Sequence, residues 1–156
     1  MKFVILAAVI ALVAFYFVKN SAGKKVASEN IAIGNDFLVQ NKANEDVLET
    51  ASGLQYQILK KGEGTAHPSA GSTVKVHYHG TLLDGTVFDS SVDRNEPISF
   101  PLNRVITGWT EGVQLMVVGD KFKFFIPSKL AYGNSAAGKI KPGSLLIFEV
   151  ELLEIQ

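Results

Sequence analysis

Near the C-terminus the eleven residues LLIFEVELLEI (Leu145 to Ile155) set Leu146, Phe148, Val150 and Leu152 at every second position. Successive side chains of a strand point to opposite sides of its sheet, so this period of two writes one buried face and one wet face. A face that apolar has to be covered by another layer. STVKVHYHG (Ser72 to Gly80) repeats the pattern, with Val74, Val76 and Tyr78 on one side and Lys75, His77 and His79 on the other. Asp84-Gly85, between TLL and TVF, supplies a hairpin turn. KFKFFIP (Lys121 to Pro127) is a further β run, and Gly119-Asp120 and Pro142-Gly143 mark turns. In this region Gly108 to Met116 alone is helical in period, with Trp109, Val113 and Met116 at i, i+4 and i+7. The expected fold is therefore α+β: a strongly twisted antiparallel sheet wrapped around one short helix, preceded by an N-terminal apolar helix and a partly helical spacer. Trp109, the sole tryptophan, falls at the sheet–helix junction.

The N-terminus imposes a second constraint. Sixteen residues, Phe3 to Val18, carry no charged side chain and are bracketed by Lys2 and Lys19. As a helix they span roughly 24 Å, somewhat less than the hydrocarbon core, and snorkelling lysines can close the gap. The first reading is an uncleaved anchor. A cleaved signal peptide comes second, because its apolar region normally runs shorter and the small-x-small sites around Ser21-Ala22 are poor. A buried core helix comes third. The first two put the rest of the chain in the cell envelope: held at the inner membrane with its domain in the periplasm, or released to the periplasm after cleavage. Residues 1–19 thus read as signal anchor or signal peptide, 20–53 as a spacer with a short helix from about Ser28 (its N-cap) to Asn41, and 54–156 as the functional domain. Ile33, Phe37 and Leu38 give the spacer a short apolar stripe suited to docking or dimer contact, and its main job reads as reach.

Several chemistries are excluded. Lys plus Arg and Asp plus Glu number fifteen each, so no single-sign field points to nucleic acid. There is no cysteine, which removes disulfides and thiolate chemistry. GNSAAGK (Gly133 to Lys139) fits the opening of a phosphate-binding loop, but Ile140 and Pro142 follow where that motif needs Ser or Thr and a helix N-terminus. His77 and His79 share a strand face and could ligate a metal, yet a polar strand face with His67 as the one further imidazole reads as solvated. Nothing groups Ser, His and Asp as a nucleophilic triad, so no catalytic metal, cofactor or covalent nucleophile is expected. What remains is a concentration of Tyr78, Phe88, Val105, Ile106, Trp109, Tyr132 and Phe148 near turns, with Asp89 beside Phe88 needing a partner such as Arg94 to stay charged. An apolar cleft with a few polar tips is the general form of a small-ligand or peptide site.

From about Leu54 to Gln156 these residues resemble the FKBP family of peptidyl-prolyl cis/trans isomerases. VHYHGTLLDGTVFDSS (Val76 to Ser91), VITGWTEGVQLM (Val105 to Met116), IPSKLAYG (Ile126 to Gly133) and LLIFEVELLEI carry the likeness in the family's order and spacing. Upstream, NDFLVQNKANEDVLETASGLQY (Asn35 to Tyr56) is similar to the helix-to-domain junction of the bacterial Mip-type branch. There an apolar span stands where the rest of a dimerising helix would be, so oligomerisation stays open. The resemblance implies that Trp109 floors a pocket for a proline ring. It makes Tyr78, Phe88, Val105, Ile106 and Phe148 the walls, and Asp89, Tyr132 and the Ile106 N–H the polar contacts, with Arg94 holding Asp89. Ile98 stands where the family often has an aromatic wall. Ile140 lies in a loop, Asn134 to Lys141, one residue shorter than in the small eukaryotic members. The implied partners are proline-containing unfolded or partly folded polypeptides and, by resemblance, macrolide immunosuppressant-type ligands.

Such a site needs no proton transfer. Resonance planarity sets a barrier of about 18–20 kcal/mol to rotation. Twisting removes the charge separation of the planar amide, so a dry cleft favours the twisted form relative to water. Each 1.36 kcal/mol of that preference is about tenfold in rate. Two alternatives are a proline-binding chaperone or membrane-tethered peptide-binding module with incidental turnover, and an assembly role at the membrane.

Overall fold

A computed structural model of the chain describes residues 21–156. The apolar run Phe3 to Val18 lies outside them, and so does the choice between anchor and cleaved signal. Among the described residues no helix is long and apolar enough to cross a membrane.

The chain runs through helix α1 (Ser21–Asn41), strands β1 (Leu48–Glu49), β2 (Gln55–Lys60), β3 (Thr73–Thr81) and β4 (Val87–Ser90), and a single helical turn α2 (Ser91–Arg94). It continues with β5 (Ile98–Pro101), α3 (Thr107–Val113), β6 (Lys121–Ile126) and β7 (Leu146–Ile155), with short 3-10 turns at Leu102–Arg104 and Ser128–Leu130. The strands form one seven-stranded sheet in the order β1-β2-β6-β7-β3-β4, with β5 also paired to β3. Every pairing is antiparallel. β3 alternates half-buried and buried residues along its whole length, as its sequence period requires. Its first half pairs with β5 and its second half with β4, so one edge of β3 serves two strands laid end to end.

Helix α3 crosses the covered face, and Trp109, Val113 and Met116 are all buried beneath it. The glycines on either side of Trp109 explain how it comes so close. A Cβ on Gly108 would sit 2.6 Å from Ile126 Cγ2, and one on Gly112 would sit 2.6 Å from Phe124 Cε1. These residues, one helical turn apart, lay the helix backbone directly on β6. Val74, Val76, Phe124, Phe148, Val150 and Leu152 complete the core around them.

The expected short helix starting at an N-cap on Ser28 is corrected by the structure. α1 spans 21 residues and Ser28 lies inside it, because no proline interrupts the run and Gly23 and Gly34 are tolerated within it. Nor does this segment act by reach alone, for α1 rests on the domain. Ala27 and Gly34 are buried, and Gly143, at φ +76°, has no room for a Cβ because the Ala27 carbonyl would lie 2.3 Å away. Asn30 Nδ2 donates to the Pro142 carbonyl at 2.9 Å, and Asn41 Nδ2 donates to Gln55 Oε1 at 2.9 Å. Of the apolar stripe, Phe37 meets Phe125 at a ring separation of 5.8 Å, whereas Ile33 is 57% exposed. The docking face is made of small residues and amides, which allow close backbone approach and carry little hydrophobic signal.

Candidate functional site

The sheet, α3 and the 128–140 loop bring the aromatic residues into one cluster. Phe148, in the middle of β7, lies edge-on to Trp109 (5.1 Å between centroids), Phe88 (5.2 Å) and Tyr78 (6.3 Å). Trp109 in turn meets Tyr78 edge-on at 5.3 Å and Phe100 at 5.4 Å. Edge-to-face contact places the positive rim of one ring against the negative face of the next, and each such pair contributes about 0.5–1.5 kcal/mol beyond its burial. Two local devices let these rings meet. In the β3–β4 ladder Gly80 pairs with Asp89 and Thr81 with Val87, so Phe88 is bulged out of register. Gly80 leaves the space that Phe88 and Phe148 fill, since a Cβ there would lie 2.7 Å from Phe88 Cζ and 2.8 Å from Phe148 Cε1.

A polar network adjoins the rings. The Tyr78 hydroxyl donates to Asp89 Oδ2 at 2.6 Å, Arg94 Nη1 donates to Asp89 Oδ1, and Arg94 Nη2 donates to the Tyr78 oxygen at 3.0 Å. The Asp89 side chain is 4% exposed and that of Arg94 17%, so the ion pair is largely shielded from water. Breaking such a pair from one side strands a buried charge, which is why its geometry is held so firmly. Arg94 reaches Asp89 because Ser90 caps α2, accepting the Asp93 backbone N–H, and the turn carries Arg94 back over β4. Burial, and then the Asp89 carboxylate, push the Tyr78 phenol well above the ordinary tyrosine range. Burial first and Asp89 second do the same to Tyr132. Both phenols therefore stay protonated through the physiological range and can donate hydrogen bonds, but they are poor proton acceptors.

Tyr78, Asp89, Ile106, Trp109, Tyr132, Ile140 and Phe148 are buried, and Phe88, Ile98 and Val105 are half-buried around them. Ile106 caps α3 with its carbonyl, which accepts the N–H groups of Trp109 and Thr110. Ile140 is held by a two-residue bridge to Ala137 inside the loop, so the glycine-rich GNSAAGK segment is a loop with no helix following it. Trp109 is 1% exposed, and its indole Nε1–H is buried with no hydrogen-bond partner among the described residues. A seat for a ligand on this ring is thus covered by its neighbours, Tyr78, Phe100 and Phe148, in the conformation described. Sequence reasoning passed over Phe100 and Gly80. The alternation of ISFP places Phe100 on the same face as Ile98, a signal available beforehand, whereas the close approach at Gly80 is visible only once the rings are in place.

Comparison with known proteins bears on the whole chain. Residues 64–153 match the family model described as FKBP-type peptidyl-prolyl cis-trans isomerase. Residues 8–58 match the domain amino terminal to FKBP-type peptidyl-prolyl isomerase, further toward the N-terminus than the junction beginning at Asn35. The chain is 61% identical over 132 residues to the FKBP-type peptidyl-prolyl cis-trans isomerase FkpA of Aeromonas hydrophila, covering 85% of this chain and 49% of that protein. It is 45% identical over 133 residues to the outer membrane protein MIP of Legionella longbeachae, covering 85% and 57%. The crystal structure of FkpA from Escherichia coli superimposes with a TM-score of 0.82 at 42% identity, covering 87% of this chain and 63% of that one. The chain spans about half the length of the curated relatives it matches.

Proposed function

The chain belongs to the FKBP-type peptidyl-prolyl cis-trans isomerase family, and from that premise we propose that it accelerates rotation about X–Pro bonds in proline-containing polypeptides of the cell envelope. The observation that carries the reading is one cluster in which Trp109, Phe148, Phe88 and Tyr78 pack together against the buried Asp89–Arg94 pair. Rings supply a low-dielectric seat in which the twisted amide, stripped of its charge separation, is disfavoured less than in water. The polar groups are already committed to one another, so they offer fixed dipoles without costly reorganisation.

In this reading Tyr78, Phe88, Asp89, Ile106, Trp109 and Tyr132 act on the substrate, Val105, Phe148, Ile98 and Ile140 shape the pocket, and Arg94 positions Asp89. Phe100 joins the walls. Because Trp109 is covered, the half-buried rim of Phe88, Ile98, Phe100 and Val105 yields as the proline ring enters. The Ile106 N–H and the Tyr132 hydroxyl then hold the carbonyls on either side of the rotating bond. Macrolide immunosuppressant-type ligands, implied by the family resemblance, fill the same space. We assign the chain to the branch typified by Mip and FkpA, with residues 1–19 as anchor or signal, 20–53 as a connecting segment whose helix rests on the domain, and 54–156 as the isomerase domain. The apolar run 3–18 tethers it to, or directs it across, the inner membrane.

A proline-containing tetrapeptide followed by NMR exchange spectroscopy tests the activity. The expected result is acceleration well above the uncatalysed rate of tens to hundreds of seconds per turnover. Tyr132→Phe should keep the fold and slow the reaction about three- to tenfold, the worth of one hydrogen bond in the transition state. Peptide binding without acceleration in the parent protein would move the assignment to a proline-gripping module.

A further inference from the structure

The outer face of the sheet carries a second polar cluster that takes no part in the aromatic site. His77 and His79 project from β3 on the side away from Tyr78. β7 sets Glu151 directly opposite His77, and Glu149 directly opposite His79. Both imidazoles and both carboxylates line one cavity of about 440 Å³, together with Asp93, Lys121 and Val92. The lining holds three carboxylates and one ammonium, and β6 adds Lys123 directly opposite Glu149, so this face keeps a small excess of negative charge.

Hydrogen-bond accounting shows which ring nitrogens are available. Ser91 Oγ accepts the Tyr78 backbone N–H at 2.7 Å and donates its one proton to the Tyr78 carbonyl at 3.2 Å. The same oxygen lies 2.5 Å from His77 Nδ1, so Nδ1 is the ring nitrogen engaged by the serine and Nε2 is the one left to face a ligand. Ser90 repeats the arrangement. Its Oγ accepts the Asp93 backbone N–H at 3.0 Å, reaches the Tyr78 carbonyl at 3.5 Å and lies 2.7 Å from His79 Nδ1. An imidazole whose Nδ1–H is held by an oxygen presents Nε2 as a ligand, the usual state of a metal-binding histidine. Residues two apart on a strand are about 6.6–6.8 Å apart, and opposed residues on neighbouring strands about 4.5–5.5 Å apart. Side chains of this length close those gaps around an ion.

We propose that His77, His79 and one of the carboxylates facing them, Glu149 or Glu151, form a binding site for a divalent transition ion of the zinc type on the outer face of the sheet. Among the described residues no three such side chains already converge on one point. The imidazoles are preset, and the carboxylate swings in as the ion arrives, so binding is weaker than at a four-ligand structural zinc site. Water or a client side chain completes the coordination.

The test is calorimetric titration of zinc chloride into the full chain, untagged, metal-stripped and kept in solution with detergent. Imidazole nitrogen NMR is recorded on the same samples. The chain has three histidines, and His67 serves as the internal control. The expected outcome is one saturating zinc per chain, with the Nε2 signals of His77 and His79 shifted and those of His67 unmoved. His79→Gln and the double variant Glu149→Gln/Glu151→Gln should each weaken binding about tenfold or more, with the tetrapeptide isomerisation rate of the parent retained. Unchanged affinity in His79→Gln, or zinc that shifts all three histidines alike, or no saturable binding, overturns the site. Should a variant fail to fold, the parent NMR spectrum decides alone, because zinc that leaves His77 and His79 unmoved refutes the proposal.

Discussion

Helices α3 and α1 both come down on this sheet and its loops over small residues, but they bury different things. α3 uses Gly108 and Gly112 to bring its backbone onto β6, and the depth so gained is filled by an indole touching three other rings. α1 uses Ala27 and Gly34 to approach Gly143 and Leu145, and fills its interface with three amide hydrogen bonds and one phenylalanine pair. It leaves Ile33 57% and Val39 74% exposed. Close approach is therefore a shared means to separate ends. Around α3 it concentrates apolar area, the dominant favourable contribution to folding. Around α1 it makes a polar latch, whose hydrogen bonds are each worth little net against water. The first region should open only with the whole domain, and the second on its own.

The largest effect that would break this contrast is at Trp109. Trp109→Ala deletes the side chain that Tyr78, Phe100 and Phe148 enclose, and should cost about 3–5 kcal/mol of domain stability along with the isomerase rate. Denaturant unfolding should show a lower midpoint with an unchanged slope. A loss below about 1 kcal/mol, the scale of an ordinary surface change, would mean that α3 is no more deeply fastened than α1.

Gly143→Ala addresses the other region. The substitution meets a positive φ and a Cβ only 2.3 Å from the Ala27 carbonyl, which is backbone and cannot turn aside. Left-handed geometry alone costs a non-glycine residue about 1–2 kcal/mol, and the overlap must push α1 away. Amide exchange along α1 should accelerate, while the near-ultraviolet signal of Trp109 and the tetrapeptide rate hold. Loss of both signals together would show that the latch and the aromatic cluster are one cooperative unit.

Legibility in the sequence divides along the same line. β3 and β7 were readable because alternation is a local consequence of the pleat, and the burial of Val74, Val76, Tyr78, Phe148, Val150 and Leu152 follows it residue by residue. The period of Trp109 and Val113 gave α3 for the same reason, but the helix runs Thr107–Val113 and stops short of the expected end at Met116, which is buried just beyond the turn that follows it. Gly108 and Gly112 flank Trp109 in the sequence, but their reason, contact with Ile126 and Phe124, is set by residues distant in sequence. The bulge that turns Phe88 out depends on strand register, which no stretch of β4 encodes by itself. The α1 interface escaped because Ala27, Asn30 and Gly34 carry no hydrophobic pattern. Asp89 and Arg94 could be paired on charge and spacing alone. That Tyr78 closes the triangle requires the β3–β4 pairing.

Asn30→Ala is the finest probe of the contrast. Its amide donates to the Pro142 carbonyl at 2.9 Å from a half-buried position, where water can partly replace it. The variant should therefore lower the free energy of α1 opening by about 0.5–1.5 kcal/mol, read as a roughly three- to tenfold faster amide exchange confined to α1, with global unfolding unmoved within error. The confinement matters more than the size. Asn30 and Gly143 act on adjacent points of the same contact, so their effects on α1 should be non-additive. Each should add simply to that of Trp109→Ala, whose ring partners, Tyr78, Phe100 and Phe148, take no part in the α1 contact. Coupling between Asn30 and Trp109 above about 0.5 kcal/mol would show that the connecting helix reports its docking to the aromatic cluster through the sheet.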